Sequence, residues 1–235
     1  MIPLSPRAFL LDEESHSFSK SQLKTKGFPL VIFMVLATVV RFASSIIVPK
    51  FRILSAEEME YLRLAQNLFD GNGYVGLYGT PQIVHSPLFP MLIALINYPS
   101  RNIEVAGLVI SLASGVLLAL PLYFLALNLY GSRAAFFAAA LASIYPYLLW
   151  LSTQSYSEAL FISLLTTSIL FGVLALKMEK IAISLIAGLV MGLAYLSRPT
   201  AVSLPPLTLI FMTAAGLVRR KPMKTTGLHL LATGI

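Results

Sequence analysis

Apolar residues run along this chain in long blocks joined by short polar links, without the period of two expected of a half-buried strand. A helix needs roughly 17 to 25 apolar residues to cross about 30 Å of hydrocarbon. Blocks of that length fall at residues 30–48, 105–127, 134–151, 158–176, 181–197 and 201–218. Another opens at Leu228 and is cut at Ile235, which predicts that the sequence is the N-terminal part of a larger protein or a truncated product. The pattern thus predicts an all-α polytopic membrane protein with about six complete transmembrane helices plus a truncated seventh. Its expected layout is a tail (1–29), a first span (30–48), a large outer loop (49–102), spans two to six (105–218), and a last polar link with the start of the seventh helix (219–235).

One stretch departs from this pattern. SAEEMEYLRLAQNLFDGNGY, at 55–74 in the long loop, is charged and amphipathic. Ser55 followed by Glu58 has the spacing of a capping box. Leu62, Ala65, Leu68 and Phe69 supply an apolar stripe, and Gly71 and Gly73 end it, which predicts a surface helix of about four turns. HSPLFPMLIALINYPS follows at 85–100. Its apolar run between Pro87 and Pro99 is too short to span and predicts a re-entrant or interfacial segment.

Composition fixes the class more firmly. Of the 235 residues, 57% are hydrophobic and 11% charged, against about half and a quarter in soluble domains. The chain has no cysteine, so thiolate metal sites and disulfides are excluded. A net charge of +7 would suggest nucleic acid in a soluble protein, but here its placement follows membrane topology. With the N-terminus in the cytoplasm, eleven Lys and Arg fall on inside segments and five on outside ones, with Arg41 inside the first span. The basic tail then needs no nucleic-acid partner. A binding site for acidic lipid is a second reading of it.

Candidate chemistry gathers on the predicted outer side. Glu58 has a structural task in the box, and Glu60 is expected to face solvent or pair with Arg63 one turn on. Glu57 is the acid least explained by helix capping. Glu158 stands where span four begins, and Arg198 where span five breaks before Pro199. Arg41 is costly inside a membrane and is either functional or snorkels to the interface. Two carboxylates suit a base together with a hard divalent cation (Mg, Mn or Ca), and arginines suit phosphate. A lipid-linked phosphosugar would use both.

In their order, EEMEYLRLAQNLFDGNGY, HSPLFP, ASIYPYLLW, Ser157-Glu158 and GLVMGLAYLSRPTAV resemble the membrane glycosyltransferases of the C superfamily, in particular the protein O-mannosyltransferase and aminoarabinose-transferase-like group. The likeness covers about residues 41–201. It implies a transferase that moves sugar from a polyisoprenyl-phosphate donor to a protein, glycan or lipid acceptor on the extracytoplasmic face. By the same resemblance, Glu57 and Glu58 are the catalytic acids, although the family commonly has Asp at the first of these positions. Glu57 and Glu158 are the metal contacts, and Arg41, His85 and Arg198 contact the donor phosphate. Tyr61 is expected to pack. Two further readings stand beside this one: a secondary transporter or lipid flippase, and an inactive N-terminal fragment. The Gly188 and Gly192 pair in span five is expected to permit close helix packing.

Overall fold

The structure is a computed structural model that describes residues 20–47 and 54–200. Among the described residues it is built from helices α1 (Lys20–Ile47), α2 (Ala56–Phe69), α3 (Leu88–Ser100), α4 (Ile103–Leu117), α5 (Ala119–Tyr130), α6 (Ser132–Ile144), α7 (Pro146–Ser152), α8 (Ser157–Met178) and α9 (Ile181–Ser197). The sole extended pairing among them is an isolated bridge between Val75 and Pro81. An all-helical fold follows from apolar blocks that must satisfy their own backbone groups in lipid.

Two stretches, Ile103–Tyr130 and Ser157–Met178, are long and apolar enough to cross a membrane. The first combines α4 and α5, and the break between them at Leu118 precedes Pro121, which has no N–H to donate one turn back. The predicted span at 134–151 is a bent pair, α6 and α7, which meet at 52° and together make a third candidate span. Pro146 causes the bend: it holds Tyr145 extended and offers no N–H to the Ala142 carbonyl. Val31–Ile46 and Ile181–Ser197 are shorter apolar helices, and the predicted spans at 201–218 and beyond Leu228 lie outside the described residues.

Burial in α1 repeats every four residues, through Phe33, Ala37, Arg41 and Ser45, while Val31, Val35, Val39, Phe42 and Ile46 face outward. The inward stripe packs on α4, α5, α6 and α7. The segment expected to be re-entrant or interfacial between Pro87 and Pro99 is α3; it continues through Pro99 and ends only where Arg101 turns left-handed, at φ 53°. With α2 and α4 it closes a core of Tyr61, Leu62, Ala65, Phe89, Ile93, Ala106 and Ile110.

Helix α4 approaches the rest of the site through small residues. A Cβ at Gly107 would fall 2.8 Å from Ser155 Oγ, and one at Gly115 would fall 2.7 Å from Arg41 Nε. Ser111, between them, is fully buried and donates to the Tyr156 carbonyl at 3.4 Å. These residues recur every four positions, so one face of α4 seats both Arg41 and the turn before α8. At Gly192, by contrast, a Cβ would meet nothing within 4 Å among the described residues.

Candidate active site

The helix predicted after Ser55 forms as its sequence predicts. Ser55 Oγ accepts from Glu58 N, and Glu58 Oε2 accepts from Ser55 N, each at 3.1 Å. The second carboxylate oxygen reaches further. Glu58 Oε1 accepts from Ser155 N at 2.8 Å, and the Tyr156 hydroxyl donates to Ser55 Oγ at 2.9 Å. The start of α2 is thereby latched to the turn between α7 and α8. Glu58 is 1% exposed, and its carboxylate holds the start of the helix in place.

Glu57 is half-buried at the first turn of α2 and makes no side-chain hydrogen bond or ion pair to another of the described residues. One helical turn on, Tyr61 is buried and its hydroxyl shares a 2.9 Å hydrogen bond with Ser157 Oγ. Burial raises the Tyr61 pKa. The Ser157 hydrogen bond opposes this, Glu57 raises the pKa, Arg198 lowers it, and Glu158 raises it. Glu57, Glu158 and Arg198 therefore all act on the same phenol. The packing role expected of Tyr61 holds for its ring, which meets Phe89 and His85 edge-on at centroid distances of 5.2 and 5.0 Å.

Glu158 and Arg198 form an ion pair, Oε1 to Nη1 at 2.5 Å. Pro199 forces the extended conformation that ends α9 at Arg198, and Glu158 sits in the first turn of α8. Glu158 Oε2 is buried and has no hydrogen-bond partner among the described residues, and the same is true of His85 Nδ1. Ser197 Oγ donates to the Ser157 carbonyl at 3.4 Å, which ties the two helices behind the ion pair.

Glu57, His85, Glu158 and Arg198 are thus brought together around Tyr61. Arg41 is placed elsewhere. It is fully buried, donating from Nη2 to the Ala142 carbonyl at 2.8 Å, from Nη1 to the Ser143 carbonyl at 3.3 Å, and from Nε to Ser152 Oγ at 3.1 Å. These carbonyls end α6, where Pro146 breaks the ladder and the helix dipole favours a cation. Arg41 neither snorkels nor joins the cluster around Tyr61.

The expectation for Glu60 needs correction. It is 6% exposed and does not face solvent or pair with Arg63. Its Oε2 accepts from Leu77 N at 3.0 Å and its Oε1 from Gln82 Nε2 at 2.6 Å. The acidic spacing gave no hint of this, because both partners lie in an irregular loop. A shallow cavity of about 260 Å³, lined by Leu54, Met59, Arg63, Leu77, Ile103 and Glu104 among others, lies on another face of α2 and includes none of the clustered residues.

Among the described residues no group of three or more His, Cys, Asp or Glu stands close enough to hold a metal ion. Glu57 and Glu158, the two acids expected to contact a metal, fall in no such group, and Glu158 Oε1 is taken up by Arg198.

The fold matches that of two crystal structures of the Archaeoglobus fulgidus oligosaccharyltransferase. The apo form aligns with TM-score 0.75 and 20% identity over 88% of this chain and 28% of that one. The form tethered to an acceptor peptide containing the NVT sequon aligns with TM-score 0.70 and 19% identity, over 91% and 29%. The chain spans less than a third of the length of these structures, and at this identity they show the fold alone, a bundle of apolar helices. The chain itself belongs to the dolichyl-phosphate-mannose-protein mannosyltransferase family, whose model matches residues 84–235. That segment holds His85, Glu158 and Arg198, whereas Glu57 precedes it. No curated protein matches the sequence.

Proposed function

We propose that the full-length protein moves a sugar from a polyisoprenyl-phosphate donor to an acceptor on the extracytoplasmic face of the membrane. The family supports dolichyl-phosphate mannose as donor and a protein as acceptor, and favours transfer over the transporter or flippase reading. The distribution of Lys and Arg supports a cytoplasmic N-terminus, which puts α2 outside.

The observation that carries this reading is the half-buried carboxylate of Glu57 one helical turn from Tyr61, whose hydroxyl meets Ser157 beside the Glu158–Arg198 ion pair. Glu57 removes the proton of an acceptor hydroxyl. The acceptor oxygen then forms a bond to the anomeric carbon as the bond from that carbon to the phosphate oxygen breaks. The phosphate departs with the electron pair and the proton stays on Glu57. Arg198 and His85 hold the phosphate, and the guanidinium is worth most as charge develops on the leaving oxygen. Glu57 and Glu158 are the residues that would hold a divalent cation, which supplies further neutralisation of that charge.

In the full-length protein, Glu57→Gln should abolish mannose transfer from dolichyl-phosphate mannose to membrane-protein acceptors while membrane insertion is unchanged. Retained transfer overturns the assignment.

A further inference from the structure

We infer that Glu60 is a positioning residue for His85, acting through the side chain of Gln82. This rests on the proposed contact between His85 and the donor phosphate.

The loop from Tyr74 to Ser86 has little apolar anchorage: Tyr78 and Ile83 are 91% and 92% exposed. Polar contacts hold it. Gln82 N donates to the Tyr74 carbonyl at 3.0 Å, Gly76 N to the Thr80 carbonyl at 3.1 Å, and Asn67 Nδ2 to the Val75 carbonyl at 2.5 Å. Gly76 lies so close to Glu60 that a Cβ there would collide with the carboxylate. At the far end the Tyr74 hydroxyl contacts the His85 and Ser86 carbonyls at 2.9 and 3.1 Å, and Ser86 Oγ donates to the Tyr195 carbonyl at 3.3 Å.

Glu60 sits at the head of a directed chain of donors. Its two oxygens accept from Leu77 N and Gln82 Nε2. With its amide nitrogen thus fixed, Gln82 turns its own oxygen to Ile83 N and Val84 N, both at 2.9 Å. The next residue is His85, whose ring rests edge-on against Tyr61, the neighbour of Glu60 in α2. One buried carboxylate therefore sets the backbone that delivers the imidazole, while the adjacent tyrosine receives it.

Counting donors makes the requirement strict. A carboxylate offers only acceptors, whereas an amide offers one acceptor oxygen and an NH2 group. In Glu60→Gln the new amide meets Leu77 N or the Gln82 NH2 group with a donor. If Gln82 flips to accept, it presents its NH2 group to the Ile83 and Val84 amides. The fault thus moves toward His85. In the double variant E60Q/Q82E every bond returns: the amide at position 60 accepts from Leu77 N and donates to the carboxylate at position 82, which also accepts from Ile83 and Val84.

The test uses the full-length protein in detergent with dolichyl-phosphate mannose. Glu60→Gln is expected to raise the KM for the donor about tenfold with little change in kcat, the loss of roughly one hydrogen bond to a charged group. Hydrogen exchange at the Ile83 and Val84 amides should quicken by about the same factor. The double variant should restore both to within about twofold. Adding Glu60→Gln to His85→Ala should not raise KM further. A double variant no better than Glu60→Gln, or unchanged exchange in Glu60→Gln, overturns the clamp. If exchange responds as expected but His85→Ala leaves KM unchanged, the clamp stands and the donor contact of His85 fails.

Discussion

Replacing Arg41 separates two readings of an arginine inside an apolar helix. In Arg41→Gln the Ala142 carbonyl, which Pro146 cannot serve, loses its 2.8 Å donor, and the Ser143 carbonyl and Ser152 Oγ lose theirs. Each buried carbonyl left without a donor costs about 1–3 kcal/mol. Removing a buried charge returns part of that, so the net loss is about 2–4 kcal/mol. At roughly 2–4 °C per kcal/mol for chains of 150–250 residues, thermal unfolding in detergent should fall by on the order of 5–10 °C. Arg41→Lys keeps the charge but cannot span three acceptors with one ammonium group, so its loss should be intermediate. The assay is a melting curve for each variant beside a donor titration. A melting point within about 1 °C of the parent refutes the reasoning, and a selective loss of donor affinity at unchanged melting would return Arg41 to the donor site.

Gly115→Val should be more damaging than Gly192→Val, because only the first places side-chain atoms against Arg41 and Ser152; overpacking of this kind costs about 1–3 kcal/mol or more, visible as lower folded yield and melting temperature. Glu58→Gln should weaken either the box or the contact to Ser155 N by about 1–3 kcal/mol and reduce transfer more than donor binding, checked by kcat and KM together. Tyr61 has its folded pKa raised above the ordinary value of 10.0, so the unfolded chain loses the phenolic proton first. The stabilisation is complete below pH 10 and is lost as pH rises beyond it, and Tyr61→Phe should flatten that part of a stability profile measured from pH 8 to 11.

The helices were legible because lipid leaves the backbone few alternatives, and the capping box because its partners lie three residues apart. The bend at Pro146 was legible as a break but not as a site for Arg41, since that contact joins residues more than a hundred positions apart. The same distance hid the latch between Glu58 and Ser155. Glu60 was misjudged because helix periodicity says which face a residue occupies, not whether a polar loop will fold over it. The close-packing glycines were visible only as letters. Gly107, Ser111 and Gly115 follow the same four-residue rhythm as Gly188 and Gly192, and only the structure distinguishes the face that is covered by described residues.

The latch at Glu58 has a consequence for the order of assembly. The box with Ser55 closes within one helical turn and is complete once that turn has emerged from the ribosome. Its other oxygen waits for Ser155, 97 residues later. At about 5–20 residues per second the interval is roughly 5–20 s. During it, the apolar face of α2 can pack on α3 and α4, which follow it directly in the chain, while its first turn still lacks the tie to the turn before α8. The first turn of α2 is therefore shaped early and anchored late, so the position of Glu57 is settled only when the second half of the described chain arrives.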